Sequence, residues 1–217
     1  MITSVVKPRG ITSHDVVNEI RKITGERRVG HGGTLDPFAE GVLVIAISRE
    51  STKKLGEILL GADKEYLATI ELGKTSSTGD PEGKIQETTG NSALRKITER
   101  DVENVLNRFR GQVTQTPPVY SAVKVRGIPA YKRTRAGEKV TLKKRKVFVK
   151  ELELVEFDPP LIKLRTVVSS GTYIRSLAED IGKALGVGAY TKELIRTRVG
   201  SFLLENSKTL QELKKSL

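Results

Sequence analysis

The segment that most clearly could do chemistry is residues 30–37, which read GHGGTLDP. Pro37 biases Asp36 toward an extended backbone, and the glycines allow a ligand or another backbone to approach closely. A carboxylate held in such a loop could act as a nucleophile or a general base. Alternatively, Asp36 could cap a helical turn that has Pro37 at its first position. The glycine spacing does not match that of nucleotide-binding loops.

A second segment, residues 169–175, reads SSGTYIR and predicts a strand that ends in a glycine turn before a helix. Arg175 falls in the first turn of that helix, where the helix dipole favours acidic residues. An arginine in this place indicates a fixed anionic partner, either a carboxylate or a phosphate. The alternative is an ordinary surface arginine.

Two further segments could bind a planar anionic ligand. Tyr66 lies at the start of a predicted strand and could stack on a planar ligand while still offering its hydroxyl, although core tyrosines are more common in strands. Residues 124–150 contain 11 Lys or Arg and one acid, Glu138. Loops dense in basic residues follow phosphates, and aromatic residues such as Tyr120 and Tyr131 can stack on bases. The alternative for this basic segment is a solvated cationic hairpin.

Composition excludes several classes of function. The 217 residues include 38 Lys plus Arg and 26 Asp plus Glu, and the formal net charge of +12 favours a polyanionic partner. The absence of cysteine excludes disulfides, thiolate metal sites and cysteine nucleophiles. No apolar run approaches the length of a membrane span, and Met1 leads into a strand pattern without a signal peptide. We therefore expect a soluble, cytoplasmic protein that does not bind a membrane.

Hydrophobic periodicity predicts the elements that position these segments. Strands are predicted at Ile2–Val6, Val42–Ile47, Glu65–Leu72, Val147–Phe157 and Leu161–Ser169, with a loop at Thr75–Gly83. Helices are predicted from Ser13 as N-cap to Gly25, at Ser51–Leu60, after the Thr98-x-x-Asp101 capping box, from near Thr172 to Gly186, at Tyr190–Arg198, and after Thr209-x-x-Glu212. Neighbouring strands often lack an intervening helix, which favours an α+β fold with a largely antiparallel sheet.

Six ordered blocks carry a resemblance to a known family. They are Lys7-Pro8-x-Gly10-x-Thr12-Ser13, Gly30-His31-x-Gly33-Thr34-Leu35-Asp36-Pro37-x-Ala39-x-Gly41-Val42-Leu43, Lys64-x-Tyr66, Gly73-x-x-Ser76-x-Thr78-x-Asp80-x-x-Gly83, Gln115-x-Pro117-Pro118-x-Tyr120-Ser121-Ala122-x-Lys124 and Gly171-Thr172-Tyr173-Ile174-Arg175. Together they resemble the TruB family, the tRNA pseudouridine synthases that act on the T arm. The resemblance covers nearly the whole chain.

The resemblance implies a pseudouridine synthase fold in which a largely antiparallel mixed sheet is flanked by helices and loops. It implies that Asp36 attacks the target uridine, that Tyr66 packs against the base and can transfer a proton, and that Arg175 pairs with the catalytic carboxylate. The basic segment 124–150 would be an RNA-binding insertion that closes over the T-arm hairpin. The substrate-binding residues implied are His31, Leu194, Lys64, Tyr120, Lys124, Arg126, Tyr131, Lys132 and Arg133.

The implied activity is isomerisation of uridine 55 in the T-arm stem-loop of tRNA. Because this reaction involves no net redox change, phosphoryl transfer or hydrolysis, we expect neither a metal nor an organic cofactor. We further expect a monomer with one catalytic domain, residues 1–217, and no C-terminal PUA-type domain. Two alternatives remain: a guide-RNA-dependent pseudouridine synthase, and a non-catalytic RNA-binding or RNA-folding protein on the same scaffold.

Overall fold

The computed structural model describes residues 1–215, which form two compact units. Unit 1 is Met1–Leu67 with the described residues from Leu194 onward, and unit 2 is Ala68–Glu193. Among the described residues, no helix combines the length and apolar composition needed to cross a membrane.

The strands and helices are numbered in chain order. The strands are β1 (Ile2–Lys7), β2 (Val29–Gly32), β3 (Glu40–Ile47), β4 (Lys64–Leu72), β5 (Lys74–Ser76), β6 (Ile85–Glu87), β7 (Gly111–Gln115), β8 (Lys124–Val125), β9 (Ile128–Pro129), β10 (Arg145–Asp158), β11 (Leu161–Val168), β12 (Ala189–Val199) and β13 (Phe202–Leu203). The helices are α1 (Ser13–Thr24), α2 (Arg49–Ile58), α3 (Asn91–Leu94), α4 (Glu99–Asn107), α5 (Ala130–Arg135), α6 (Ile174–Ala184) and α7 (Leu210–Lys215).

Both units are built on mixed or antiparallel sheet. In unit 1 the strand order is β1-β3-β12-β4, with β1 and β2 antiparallel to β3 and β12 parallel to it. In unit 2 the order is β12-β4-β11-β10-β7, and β10 is antiparallel to both β11 and β7. Strands β4 and β12 each contribute residues to both units. The predicted α+β class with a largely antiparallel sheet is confirmed.

The core of unit 1 forms on both faces of β3, as its uninterrupted apolar sequence predicts. One face packs Leu43 and Ile45 against Val17 and Ile20 of α1. The other face packs Val42, Val44 and Ala46 against Leu55 and Val199. Since both faces are covered, β3 is a rigid support for the loop that precedes it.

The N-cap of α1 is Thr12, so the prediction of Ser13 is wrong by one residue. Thr12 and Asp15 form a reciprocal capping box, in which each side chain accepts a hydrogen bond from the other residue's backbone N–H. Ser13 is buried and is the first helical residue. The predicted end of the helix is confirmed, because Gly25 adopts a φ of 70° at the C-cap.

The predicted helix at Tyr190–Arg198 is wrong, because these residues belong to strand β12. Tyr190 and Leu194 have the spacing of a helix face, and that spacing suggested the error. However, Ala189, Tyr190 and Thr191 are buried consecutively, as in a strand covered on both faces. Leu194 therefore lies on a strand.

The predicted loop at Thr75–Gly83 is wrong at its start. Thr75 and Ser76 belong to β5, which pairs antiparallel with β6 in a separate two-stranded sheet. The two strands are short and exposed or half-buried, so they carry no apolar alternation that the sequence could reveal.

Glu71 of β4 has a buried carboxylate that pairs with two lysines of unit 2. Its side chain is 7% exposed and accepts hydrogen bonds from Lys74 at 2.8 Å, Lys192 at 3.0 Å and Tyr190 at 2.8 Å. Burial alone would raise the pKa of Glu71, but the three donors outweigh it and lower that pKa to about 2. The carboxylate therefore stays ionised to low pH in the folded protein.

Replacing Glu71 by Gln is expected to lower the free energy of unfolding at pH 7 by about 1–3 kcal/mol, because it removes charge-assisted hydrogen bonds. The folded pKa lies below the ordinary value of 4.5, so this stabilisation is present above pH 4.5 and is lost as the pH falls toward 2. Urea titrations at pH 7, 4 and 2.5 should show the two proteins converging. Glu57→Gln, on the exposed side of α2, should change the free energy of unfolding little at any of these pH values. If Glu71→Gln lowered that free energy by the same amount at all three pH values, the argument would be contradicted.

Candidate functional site

The Asp36 loop is tied down on both sides of Asp36. The hydroxyl of Ser13 donates to the carbonyl of Leu35 at 3.1 Å and accepts from the N–H of Leu35 at 2.9 Å. The ammonium of Lys7, which is fully buried, donates to the carbonyl of Pro37 at 3.2 Å. These contacts anchor the loop to the β1–α1 connection, so the chain on either side of Asp36 has little freedom. A fixed carboxylate is what nucleophilic or general-base chemistry requires.

Arg196 of β12 supports the same loop from a buried position. It is 1% exposed, and its guanidinium donates to the carbonyl of Gly33 at 3.0 Å and to that of Val42 at 2.8 Å. Gly41 lets the backbones of β3 and β12 approach closely. A Cβ on Gly41 would lie 2.2 Å from the carbonyl oxygen of Arg196, and Gly41 has a φ of 110°.

A Gly41→Ala substitution is therefore expected to destabilise the protein by about 3 kcal/mol or more, since it combines a backbone clash with a positive φ. Gly56→Ala is the matched control, because Gly56 lies inside α2 and has open space around its Cα. Replacing that helical glycine should stabilise the protein by about 0.5–1 kcal/mol. Thermal unfolding of both variants checks the prediction, and equal stability of the two would contradict it.

Two further predicted residues, His31 and Lys64, lie close to Arg196 in unit 1. Burial lowers the pKa of His31, and the positive charge of Arg196 lowers it further. The pKa of Lys64 is lowered for the same two reasons. The Nδ1 atom of His31 is buried without a hydrogen-bond partner among the described residues. The Lys64 ammonium and the Arg196 guanidinium each lie 3.6 Å from the point that a Cβ on Gly33 would occupy. The turn before Asp36 is thus electropositive.

Tyr66 and Leu194 complete the predicted set in unit 1. Tyr66 lies on β4 and is 7% exposed, whereas Leu194 lies on β12 and is 4% exposed. Unit 1 therefore contains Asp36, His31, Lys64, Tyr66 and Leu194. The remaining predicted residues belong to unit 2.

Arg175 lies in the first turn of α6, is 3% exposed and has a carboxylate partner. Its Nη1 atom lies 3.1 Å from Oδ2 of Asp80 and donates to the carbonyl of Thr78 at 2.8 Å. Its Nη2 atom donates to the carbonyl of Tyr120 at 2.9 Å. The alternative of an ordinary surface arginine is therefore wrong, and the expectation of a fixed anionic partner is confirmed by Asp80. Pairing of Arg175 with Asp36 stays a prediction.

Asp80 is the functional candidate that sequence reasoning missed. Its side chain is 4% exposed, and its carboxylate also accepts from the N–H of Glu82 at 3.1 Å. The signal was present, because Asp80 stands in the Thr78-x-Asp80-x-x-Gly83 block. The loop predicted at Thr75–Gly83 gave Asp80 no role, and its pairing with a buried arginine depends on a contact between residues far apart in the chain.

The start of α6 is held in place by strand β7 and the residue after it. The side chain of Gln115 is buried; it donates to the carbonyl of Tyr173 and accepts from the N–H of Tyr173, both at 3.0 Å. Ser176 donates to the carbonyl of Thr116 at 2.8 Å. The first turn of α6 is thereby fixed, which sets the direction of the Arg175 side chain.

The basic segment 124–150 is not a single insertion, because residues 145–150 form the start of β10. The segment outside the sheet is residues 116–144, which connect β7 to β10. These two strands pair directly with each other, so that Gln115 lies opposite Arg145. It contains the β8–β9 hairpin and α5. We call residues 116–144 the insertion.

The predicted RNA-binding side chains of the insertion differ in availability. Lys124, Arg126 and Lys132 are exposed. Arg133, by contrast, forms an ion pair with Glu138 and donates to the carbonyl of Val125 at 3.2 Å. In a separate contact, Arg135 lies over the ring of Tyr131, 5.7 Å from its centroid, so this ring carries a stacked cation. Tyr120 is half-buried at the base of the insertion. Within residues 1–215 there is no cluster of His, Asp or Glu that could hold a metal ion.

Comparison with known proteins places this arrangement in a class. Residues 21–174 match the model of the TruB family pseudouridylate synthase N-terminal domain, and residues 175–217 match the tRNA pseudouridylate synthase B C-terminal domain. The tRNA pseudouridine synthase B of Carboxydothermus hydrogenoformans is 48% identical over 96% of this chain and 73% of its own length. That of Francisella philomiragia is 43% identical over 98% of this chain and 69% of its own length.

A solved Cbf5-Nop10-Gar1 complex contains a similar chain, with a TM-score of 0.76 and 35% identity. The alignment covers 99% of the present chain and 53% of that one, so the present chain spans about half of its solved relative. These similarities define the class as the pseudouridylate synthases, and the predicted pseudouridine synthase fold is confirmed. Within that class, the chain belongs to the TruB family.

Proposed function

We propose that this protein isomerises uridine 55 in the T arm of tRNA to pseudouridine, with Asp36 as the nucleophile. The observation that carries the proposal is the fixed position of Asp36 between Leu35 and Pro37, each of which is hydrogen-bonded to a buried side chain. Conversion of uridine to pseudouridine in tRNA is the activity of the relatives named tRNA pseudouridine synthase B.

The reaction is an isomerisation in which bonds and protons are rearranged within one nucleoside. The carboxylate of Asp36 attacks the target uridine, and the bond between ribose C1′ and base N1 breaks. The base then rotates and C5 bonds to C1′, and the bond between Asp36 and the substrate breaks, which restores the free carboxylate. The C5 proton is lost and N1 gains one, so the atoms balance without an oxidant or a reductant. The phenol of Tyr66, buried on β4 of the same unit as Asp36, is proposed to transfer a proton in this sequence.

The target base must leave its stack, which costs a few kcal/mol. We propose that phosphate contacts from Lys124, Arg126 and Lys132, exposed on the insertion, offset this cost. His31, Lys64 and Leu194 are proposed to line the space for the flipped nucleotide. Tyr120, Tyr131 and Arg133 are proposed to shape the insertion around the hairpin. Arg175 is proposed to orient the loops that it joins, those containing Thr78 and Tyr120.

The direct test is to incubate the purified protein with an unmodified T-arm hairpin and with full-length tRNA, and to map pseudouridine. No guide RNA is added, and EDTA is present throughout. Product at uridine 55 in both RNAs supports the proposal and shows activity without an added metal ion or cofactor. No product from either RNA would refute it. Product only after a guide RNA is added would favour a guide-dependent enzyme.

Binding of the T-arm hairpin is expected to weaken steeply with salt, because phosphate contacts release counterions. Replacing Lys124, Arg126 or Lys132 by Ala should each reduce the slope of log K against log salt by about 1. Fluorescence anisotropy between 50 and about 300 mM salt measures the slope. The paired Arg133 is the comparison, since its ion pair with Glu138 makes a smaller change expected. Slopes that match wild type in all three variants would remove the insertion from RNA binding.

A further inference from the structure

The outer face of strand β10 carries a row of basic and aromatic side chains that the proposed reaction does not use. Lys146, Phe148 and Lys150 are exposed and alternate with the buried residues Val147 and Val149. Since successive side chains of a strand point to opposite faces, Lys146 and Phe148 share one face and lie about 7 Å apart along the strand. Lys150 is exposed next in line, where the β10–β11 register shifts between Val149 and Glu151. The ring of Phe148 is 46% exposed, although burial would be the favourable state for a phenylalanine.

The neighbours of this row on strand β7 are neutral and polar. In the β10–β7 register, Thr114 lies opposite Lys146 and Gln112 lies opposite Phe148, and both are exposed. We call Lys146, Phe148, Lys150, Thr114 and Gln112 the β10 patch. None of its members is acidic, so its formal charge comes from lysines alone.

The position of the Phe148 ring is set by a fully hydrogen-bonded backbone. The N–H of Phe148 donates to the hydroxyl of Ser169 at 2.9 Å, and its carbonyl accepts from the N–H of Ser169 at 2.9 Å. Farther along β10, Glu151 and Glu153 lie 2.6 and 3.2 Å from Nη1 of Arg165. The β10 patch is therefore a rigid, positively charged platform with one exposed ring.

We propose that the β10 patch is a second RNA contact, in which an unpaired base of the substrate RNA stacks on Phe148 and flanking phosphates bind Lys146 and Lys150. Proteins bind single-stranded nucleic acid by this combination of a stacking ring with adjacent cations. Unpaired bases are also the part of RNA that offers an open face for stacking. This inference rests on the proposed function only in that its ligand is the substrate RNA; it does not depend on the chemistry at Asp36.

A protein partner is a poorer occupant of this surface. The core of a protein–protein interface is depleted of charged residues and enriched in apolar contact. The β10 patch instead has a single apolar side chain flanked by lysines. The composition of the β10 patch favours a polyanion with aromatic bases, which is a nucleic acid.

The test compares binding of a labelled 12-nucleotide oligouridylate and of a blunt RNA duplex of equal length to the full chain. Phe148→Ala should weaken oligouridylate binding by about 5-fold or more and leave duplex binding nearly unchanged. Val155→Ala is the matched control, because Val155 is 54% exposed on the same strand but outside the patch; it should change both affinities less than about twofold. Lys146→Ala should reduce the salt slope for the oligouridylate by about 0.7.

Two results would overturn the proposal: equal oligouridylate affinities of Phe148→Ala and Val155→Ala, or an equal loss of duplex binding in Phe148→Ala. The assay separates this inference from the proposed function. If wild type forms pseudouridine while Phe148→Ala binds the oligouridylate normally, only the β10 patch is refuted. If wild type forms none while Phe148→Ala binds the oligouridylate weakly, only the proposed function is refuted. Both positions are exposed, so thermal unfolding should be unchanged in either variant.

Discussion

Asp36→Asn is expected to lower the rate of pseudouridine formation by at least about 1,000-fold, the scale on which removal of a catalytic nucleophile acts. The amide has the shape of the carboxylate but cannot act as an anionic nucleophile. The loop around it should persist, because its anchors are Ser13 and Lys7, which bond to the backbone of Leu35 and Pro37. Binding of tRNA should therefore remain within about twofold of wild type.

Single-turnover assays at saturating enzyme isolate this chemical effect from binding. Asp158→Asn is the control, since Asp158 is an exposed aspartate at the end of β10. It should react at the wild-type rate. If Asp36→Asn formed product as fast as Asp158→Asn, Asp36 would have no catalytic role.

Arg175→Ala is expected to reduce kcat by at least about 100-fold while changing the Kd for tRNA less than about threefold. Arg175 is almost fully buried and joins the loop of Thr78, the start of the insertion at Tyr120 and the carboxylate of Asp80. Its removal also leaves Asp80 as a buried charge without this partner. A loss of about 3–5 kcal/mol in the free energy of unfolding should accompany the kinetic defect.

A double variant separates the two effects of this arginine. Arg175→Ala combined with Asp80→Asn removes the uncompensated charge and should recover part of the stability without recovering kcat. Urea titration and single-turnover rates at a temperature where both proteins are folded make the comparison. Equal losses in kcat and in RNA affinity would indicate that Arg175 contacts a phosphate of the RNA instead.

The sequence predicted those parts of the fold in which local pattern and burial agree. Strand β3 has an unbroken β-branched run, and α4 carries both its capping box and its buried residues at helical spacing. The pattern failed at β12, where tertiary burial on both faces gave helix-like spacing to Tyr190 and Leu194. It also failed at Ser13, because a Thr-Ser pair offers two plausible caps and only the fold shows which hydroxyl is used at Leu35.

The sequence predicted the candidate residues of unit 1 more completely than the contacts of Arg175 in unit 2. Asp36 stood out from its own flanking residues, since proline and glycine act locally on the backbone. The anionic partner of Arg175 was expected from the helix dipole, but its identity as Asp80 depends on a contact between residues far apart in the chain. The predicted basic segment 124–150 overlapped the strand predicted at Val147–Phe157, because charge density alone does not show where an insertion ends, and β10 begins at Arg145.

Because Gln115 and Arg145 lie opposite each other in the β7–β10 ladder, the insertion leaves and re-enters the sheet at adjacent points. In a direct pair of this kind the Cα atoms are about 5 Å apart, a gap that a short hairpin turn can bridge. Residues 116–144 could therefore be shortened, lengthened or exchanged during evolution without shifting the register of either strand. The insertion, which is proposed to bind RNA, can therefore change in length independently of the sheet. The Asp36 loop cannot, because buried side chains anchor it to α1 and β1.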